Sequence, residues 1–251
     1  MLRQRTEHRA LPTADAHPAR TVSHVITAQR SCGPLDTPNR FDSTGPMYHG
    51  ERFNGYSHLC GLLLATAGSA ALLAQTVPEA DPARTVSAGV FAISMMTLYA
   101  ASTLYHSTRG PAKRFWQRID QCAIYLLIAG SYTPFALVTL QGPWGWGLLA
   151  CVWAAAIAGI GRELRPGDPP EPSLALYMGM GWLGLLAAAP LVERLDGAGL
   201  AWLMAGGGLY SAGTVFYLNP FGWRHAHGTW HLFVLGGTLS HYIAVARFVL
   251  S

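Results

Sequence analysis

Charged side chains are scarce in this sequence. Aspartate, glutamate, lysine and arginine make up 12% of its 251 residues, whereas 51% are hydrophobic. A soluble domain usually carries about 25% charged residues. The apolar residues also stand in blocks of about 20, the length that crosses a hydrocarbon layer of roughly 30 Å. The shortage of charge and this grouping argue against a soluble globular domain.

Paired cysteines and basic stripes are absent as well. The four cysteines are scattered without a CxxC pair, which argues against a disulfide framework and against a cysteine zinc site. The net charge of +4 comes from tails and short loops rather than from a basic stripe with interleaved aromatics, so we expect no nucleic-acid partner. No basic stretch leads directly into an apolar run with a cleavage site, and a secretory signal is therefore not expected.

Seven apolar blocks are present after a polar beginning. They span residues 58–77, 86–105, 119–140, 145–161, 173–192, 199–217 and 229–249. The 28 glycines and 8 tryptophans suit close helix packing in lipid and aromatic anchoring at its interfaces. The sequence therefore predicts an all-α, polytopic membrane protein, with a seven-transmembrane-helix bundle in residues 47–251. Residues 1–46 are predicted to be a disordered cytoplasmic tail, because they lack a sustained apolar pattern.

The basic residues between the blocks indicate an orientation. Arginines recur before the first block, and the segment after the second block holds Arg109, Lys113, Arg114 and Arg118 without an acidic residue. The connections on the other side are poor in basic residues. Because basic loops stay in the cytoplasm, we expect the N-terminus to be cytoplasmic and, after seven spans, the C-terminus to be outside.

Histidines stand at the ends of two blocks. The second block ends with Ser102 and His106, and the seventh begins with His227 and His231; in each pair the four-residue spacing puts both side chains on one helix face. Two histidines at this spacing are a common way to hold one metal ion, although His106 alone also suits a cap or an interfacial residue. His241 lies about 15 Å further along the helix, and we expect it to pack or form a hydrogen bond. The histidines set aside as ligands are His58, His225 and His241.

Two further polar positions open apolar blocks. Asp120 begins the third block, where a carboxylate alone suits a helix-dipole partner or a salt bridge. The segment from Glu51 to His58 begins the first block and by itself indicates a helix start that is capped by Asn54 or Ser57.

The predicted topology brings the polar block ends to one membrane depth. Three histidines and a water are a catalytic type of zinc set, and zinc would lower the pKa of that water toward about 7. Asp120 would hold the water or act as its base, and Ser102 would bind the water or an oxyanion. The alternative is a group of unrelated structural histidines. The zinc ligands of this hypothesis are His106, His227 and His231.

These residues resemble the hemolysin III family, the bacterial branch of the progestin and adiponectin receptor (PAQR) family. The resemblance runs from about Glu51 to Phe248, nearly the whole chain after the tail. One departure is Gln121, where bacterial members often carry histidine. The matching pieces are Glu51-x-x-Asn54-x-x-Ser57-His58, Ser102-x-x-x-His106, Asp120 with residues 123–134, residues 207–217, and His227-x-x-x-His231 with His241.

The resemblance carries expectations about the site and its setting. It implies zinc on His106, His227 and His231, with Ser102 and Asp120 close by. It also implies a multi-pass protein of the bacterial inner (cell) membrane whose partners are membrane lipids. The family is similar in turn to alkaline ceramidases, which are grouped with it among membrane metal-dependent hydrolases.

Three functions remain open from the sequence. The first is a zinc-dependent hydrolase of a lipid amide or acyl bond. The second is a non-enzymatic receptor or regulator of membrane homeostasis, in which zinc is structural. The third, a transporter or channel, ranks last because the middle portions of the fourth to sixth spans lack charged residues.

Overall fold

The chain forms an all-α structure. The computed structural model describes residue 47, residues 50–167 and residues 172–251, so the predicted tail in residues 1–46 lies outside the described part. Among the described residues no strand is present, which confirms the all-α expectation. The helices are α1 (Arg52–Thr76), α2 (Pro82–Ser107), α3 (Gly110–Pro134), α4 (Gly142–Glu163), α5 (Leu174–Gly181), α6 (Ala188–Arg194), α7 (Gly197–Leu218) and α8 (Ala226–Phe248).

Neighbouring helices pack side by side. Helix α2 lies between α1 and α3, α4 packs on α3, and α8 packs on both α7 and α1. The fully buried side chains of Phe91, Met95 and Tyr99 put α2 at the centre of the larger core. This arrangement brings the beginning of α1, the end of α2 and the beginning of α8 together at one end of the bundle.

Five stretches among the described residues are long and apolar enough to cross a membrane. They are Arg52–Glu79, Pro82–Ser107, Gly110–Leu140, Gly142–Glu163 and Leu174–Arg194. Side chains such as Leu63, Ile93 and Ile157 are each 67% exposed, as expected where helices face lipid. Helices α7 and α8 have 22 and 23 residues but are not among these five stretches; α7 contains six glycines and α8 three histidines. The count of seven spans therefore stays a prediction.

Two helices begin well before the apolar blocks from which they were predicted. Helix α1 starts at Arg52 rather than near residue 58, and α3 starts at Gly110 rather than near residue 119. Gly110 has a positive φ of 61°, which suits glycine, and Pro111 follows in the first turn, where its missing N–H costs nothing. The placement of Lys113, Arg114 and Arg118 in a loop was wrong, because all three are helical.

The fifth apolar block is also not one continuous helix. A 3₁₀ segment, Leu183–Ala187, separates α5 from α6. Pro190 cannot donate a helical hydrogen bond, which favours the interruption. The Tyr132 hydroxyl lies between the freed backbone groups: it donates to the Gly181 carbonyl at 2.7 Å and accepts from the Gly184 N–H at 2.9 Å. These backbone groups at the break are therefore hydrogen-bonded within the protein, as a membrane interior requires.

Candidate metal centre

Three histidines meet where α2 ends and α8 begins. One nitrogen from each of His106, His227 and His231 lies within 4.8 Å of the others. The ring centroids are 5.2 Å apart for His106 and His227, 5.0 Å for His106 and His231, and 4.7 Å for the two histidines of α8. His106 and His231 are buried, whereas His227 is partly exposed. The structure thus brings together the three side chains that the sequence put forward as ligands.

The imidazole of His106 is hydrogen-bonded to a carboxylate. Its Nδ1 forms a short hydrogen bond with Oε2 of Glu51. Burial by itself would raise the pKa of Glu51, but the hydrogen bond and charge of His106, together with the charge of Lys113, lower that pKa to about 2. An ionised carboxylate only accepts, so Nδ1 carries the proton. In a neutral imidazole with its proton on Nδ1, the lone pair is on Nε2, which is buried without a hydrogen bond among the described residues.

The imidazole of His231 is held by the first turns of α1. Its Nδ1 lies 3.1 Å from Oγ of Ser57 and 3.1 Å from the carbonyl oxygen of Asn54. The Ser57 hydroxyl donates its own proton to that carbonyl at 2.9 Å, so both neighbours accept from Nδ1–H. In a neutral imidazole the Nε2 of His231 is then the unprotonated nitrogen. Histidines that bind metal usually have such a partner on the second nitrogen.

The interpretation of Asn54 and Ser57 as helix caps was wrong. Helix α1 has Glu51 at its N-cap, without a side-chain capping bond, and both other residues lie inside the helix. The Asn54 amide donates to Oε2 of Glu51 at 3.0 Å instead. The three-residue spacing of these positions puts them on successive turns of one face, a signal that becomes visible only when the helix is extended back to Arg52.

His58 belongs to the centre without joining the three-histidine group. Its ring stacks on that of His231, with centroids 3.6 Å apart and planes 15° from parallel. Its other neighbour is the edge of Tyr99, at 5.2 Å. Both ring nitrogens are buried and lack a hydrogen bond among the described residues. From the sequence, His58 was not expected to be a ligand, and its stacking on His231 was not predicted.

Ser102 and Asp120 lie beside the histidines. Ser102 is buried one helical turn before His106, and its hydroxyl makes no hydrogen bond of good geometry in the described part of the chain. The Asp120 carboxylate lies next to Ser102 and interacts with the charge of His106. Because α3 begins at Gly110, Asp120 is well inside the helix, and a role as dipole partner in the first turn is excluded.

The remaining histidines of α8 and its cap lie elsewhere. His225 is exposed at the N-cap of α8, with its ring 6.1 Å from that of Phe53. His241 donates from Nε2 to the Leu203 carbonyl at 3.2 Å, which confirms the expected hydrogen-bonding role.

Comparisons with known proteins show the family of the chain. The family model described as "Haemolysin-III related" matches residues 47–242. The chain belongs to this family. It is 41% identical to "Hemolysin-3" of Bacillus cereus over 202 residues, which cover 78% of this chain and 90% of that protein. It is 39% identical to "Hemolysin-3 homolog" of Bacillus subtilis (strain 168) over 197 residues, or 76% of this chain and 91% of that protein.

A more distant relative comes from a plant. The chain is 29% identical over 181 residues to "Heptahelical transmembrane protein ADIPOR2" of Oryza sativa subsp. japonica, covering 62% of this chain and 79% of that protein. The family resemblance inferred from the motifs is confirmed. Family membership and the five apolar helices make this haemolysin III-related chain a multi-pass membrane protein.

Proposed function

We propose that the chain is a seven-span protein of the bacterial inner (cell) membrane, with a cytoplasmic N-terminus and a zinc ion bound by His106, His227 and His231. The observation that carries this proposal is the approach of three imidazole nitrogens to within 4.8 Å of one another. The rice relative is named a heptahelical transmembrane protein, which supports the number of spans. Membrane lipids are the proposed partners.

The donor set suits zinc. Neutral imidazoles bind zinc at about 2.0–2.1 Å, and three of them leave a fourth coordination position open. His106 and His231 both have their Nδ1 engaged by acceptors, Glu51 in one case and Asn54 with Ser57 in the other. Their Nε2 atoms are therefore the ones available to a metal, in the tautomer that ligation requires.

The proposed activity is hydrolysis of an amide or related acyl bond in a membrane lipid. When bound, zinc supplies a Lewis acid and activates water. The Asp120 carboxylate takes a proton from the attacking water and returns it to the leaving nitrogen or oxygen as the acyl bond breaks. The buried Ser102 hydroxyl donates a hydrogen bond to the carbonyl oxygen while negative charge develops on it.

A lipid assay tests this activity. Purified protein is incubated with ceramide and other acyl lipids, beside Asp120→Asn, Ser102→Ala and His106→Ala. We expect metal-dependent turnover that falls about 10²–10⁴-fold in the aspartate variant and about 10²–10³-fold in the serine variant. Both variants should keep their zinc, whereas His106→Ala should lose zinc and turnover together. A wild-type protein with no metal-dependent turnover on any of these lipids would refute the hydrolase.

Metal analysis tests the site separately. We expect about one zinc per chain in the wild type and almost none in His227→Ala, since one of three ligands is removed. A wild-type protein that binds no metal would refute the zinc centre, whatever the lipid assay shows.

The second candidate is a non-enzymatic receptor or regulator of membrane homeostasis with structural zinc. It is supported by the origin of the contacts, because the three histidines come from α2 and α8, and two of them are bound at the beginning of α1: His106 by the N-cap residue Glu51 and His231 by Asn54. A metal there would tie α2 directly to α8, and the beginning of α1 would join them through its contacts with His106 and His231. In this case Ser102→Ala and Asp120→Asn should have little effect on the function of the protein while the histidines remain, whereas removal of zinc should loosen the helix bundle.

A further inference from the structure

Lys113 is a buried lysine next to the metal centre. It lies in the first turns of α3, yet it is only 4% exposed. From the sequence, Lys113 was counted only among the basic residues of a loop that indicate the orientation in the membrane. A buried ammonium is costly unless it is paired and hydrogen-bonded, so its contacts need a structural explanation.

The ammonium of Lys113 joins three helices. Its Nζ donates to Oε1 of Glu51, before α1, at 3.2 Å and to the carbonyl of Tyr105, near the end of α2, at 3.2 Å. It also lies 4.3 Å from the centre of the Tyr105 ring, a cation–π distance. These contacts satisfy the donors of an ammonium group in one place.

Both acceptors lead directly to His106. Tyr105 precedes His106 in the chain, so the lysine fixes the backbone at this ligand. The two carboxylate oxygens of Glu51 have different partners. Oε1 accepts from Nζ of Lys113, and Oε2 accepts from Nδ1 of His106 and from the amide of Asn54. The lysine therefore restrains the backbone before the histidine and the carboxylate behind its ring.

We propose that Lys113 is a positioning residue of the metal centre. Its ammonium holds Glu51 in the orientation that keeps the proton of His106 on Nδ1 and leaves Nε2 for the metal. Without it, the carboxylate is free to turn, and the ring of His106 loses the restraint on its orientation and tautomer. This inference rests on the proposed function, because it concerns the affinity of the three histidines for a metal.

Metal affinity of four purified proteins tests the proposal. The proteins are the wild type, Lys113→Met, Lys113→Arg and a matched control, Arg114→Met, which changes an exposed neighbour on α3. Each protein is titrated with zinc in competition with a chelator. A second titration uses cobalt, whose visible absorption reports the geometry of its ligands. We expect Lys113→Met to bind zinc about 10–100-fold more weakly, as found when partners behind metal-bound histidines are removed. Lys113→Arg should lose less because it keeps the charge, and the control should stay within about twofold of wild type.

A purely structural role makes a different prediction. In that case Lys113→Met would lower the folded fraction, but the folded protein would keep the wild-type zinc affinity and cobalt spectrum, and this result overturns the proposal.

A second test places Lys113→Met in a Glu51→Gln background. If the lysine acts through this carboxylate, the two changes are not additive, and adding the lysine change should alter the affinity less than about twofold. Full additivity would contradict the proposed route.

A measurement of the wild-type tautomer does not depend on the folding of any Lys113 variant. In protein with ¹⁵N-labelled histidine, the His106 signal, assigned with His106→Gln, should show a protonated Nδ1 and a metal-shifted Nε2. The opposite tautomer would overturn the inference. A wild type without metal would overturn the proposed function and this inference together, whereas normal zinc binding by folded Lys113→Met would overturn the inference alone.

Discussion

The imidazole of His58 lies flat against that of His231, with ring centroids 3.6 Å apart. Because Nδ1 of His231 is also bound by Asn54 and Ser57, the stacking adds a second restraint on the orientation of that ring. The first two turns of α1 therefore control a proposed ligand that lies on α8, at the far end of the chain.

Substitution of His58 separates packing from ligation. His58→Phe keeps a flat ring against His231, so we expect zinc affinity within about threefold of wild type, a change below 1 kcal/mol. His58→Ala removes the ring and leaves a cavity, which should lower the free energy of unfolding by at least about 2 kcal/mol and weaken zinc binding. Chelator competition and thermal unfolding measure both effects. If the phenylalanine variant loses zinc as completely as the alanine variant, a ring nitrogen of His58 is needed at the site.

Removal of the metal should loosen the junction of α1, α2 and α8. A ligand that binds only the folded state stabilises it by about 4 kcal/mol when present at 1,000 times its dissociation constant. We therefore expect a chelator to lower the melting temperature of the wild type, and added zinc to restore it. His227→Ala is the control, and its melting temperature should not respond to the chelator. A wild type that loses its zinc without a change in melting temperature would contradict the role as a clamp.

Gly61 is a position where α1 and α2 approach too closely for any side chain. A Cβ at Gly61 would lie 2.6 Å from the ring of Tyr99 and 2.8 Å from Leu235. Tyr99 has little room to move, because it is 1% exposed and its hydroxyl donates to Thr238 at 2.8 Å. We expect Gly61→Ala to lower the free energy of unfolding by about 1–3 kcal/mol, measured by thermal or denaturant unfolding in detergent.

A matched control for this substitution is available on α4. A Cβ at Gly147 meets nothing within 4 Å among the described residues, so Gly147→Ala should be neutral or stabilise the helix by up to about 1 kcal/mol. Equal stability of Gly61→Ala and wild type would show that α1 and α2 tolerate a wider spacing.

The predicted topology is open to a labelling test. In a cysteine-free background, Cys32 restored alone should react with a membrane-impermeant maleimide only after the membrane is permeabilised, since the tail is expected in the cytoplasm. Ser251→Cys, at the other end of the sequence, should react in intact cells if seven spans are crossed. Labelling of both cysteines on the same side would show an even number of spans.

The sequence alone identified the class of fold and the three candidate ligands. Scarce charge and apolar blocks are enough to predict helices in a membrane, because a lipid interior leaves few other ways to satisfy the backbone. The spacing of His227 and His231 is a property of any α-helix. Since successive spans alternate in direction, the end of the second and the start of the seventh meet at one face, and His106 joins the pair without knowledge of the packing.

The partners of these ligands depended on tertiary structure. Glu51 and Ser57 meet His106 and His231 across 55 and 174 positions of sequence, and such contacts follow from how each helix is rotated about its axis. An apolar run in the sequence also ends where the hydrocarbon layer ends, whereas a helix continues as long as its backbone groups are hydrogen-bonded. This is why the sequence placed Lys113 in a loop, and only the packing of α3 against α2, together with the contact to Glu51 before α1, shows it buried next to the metal centre.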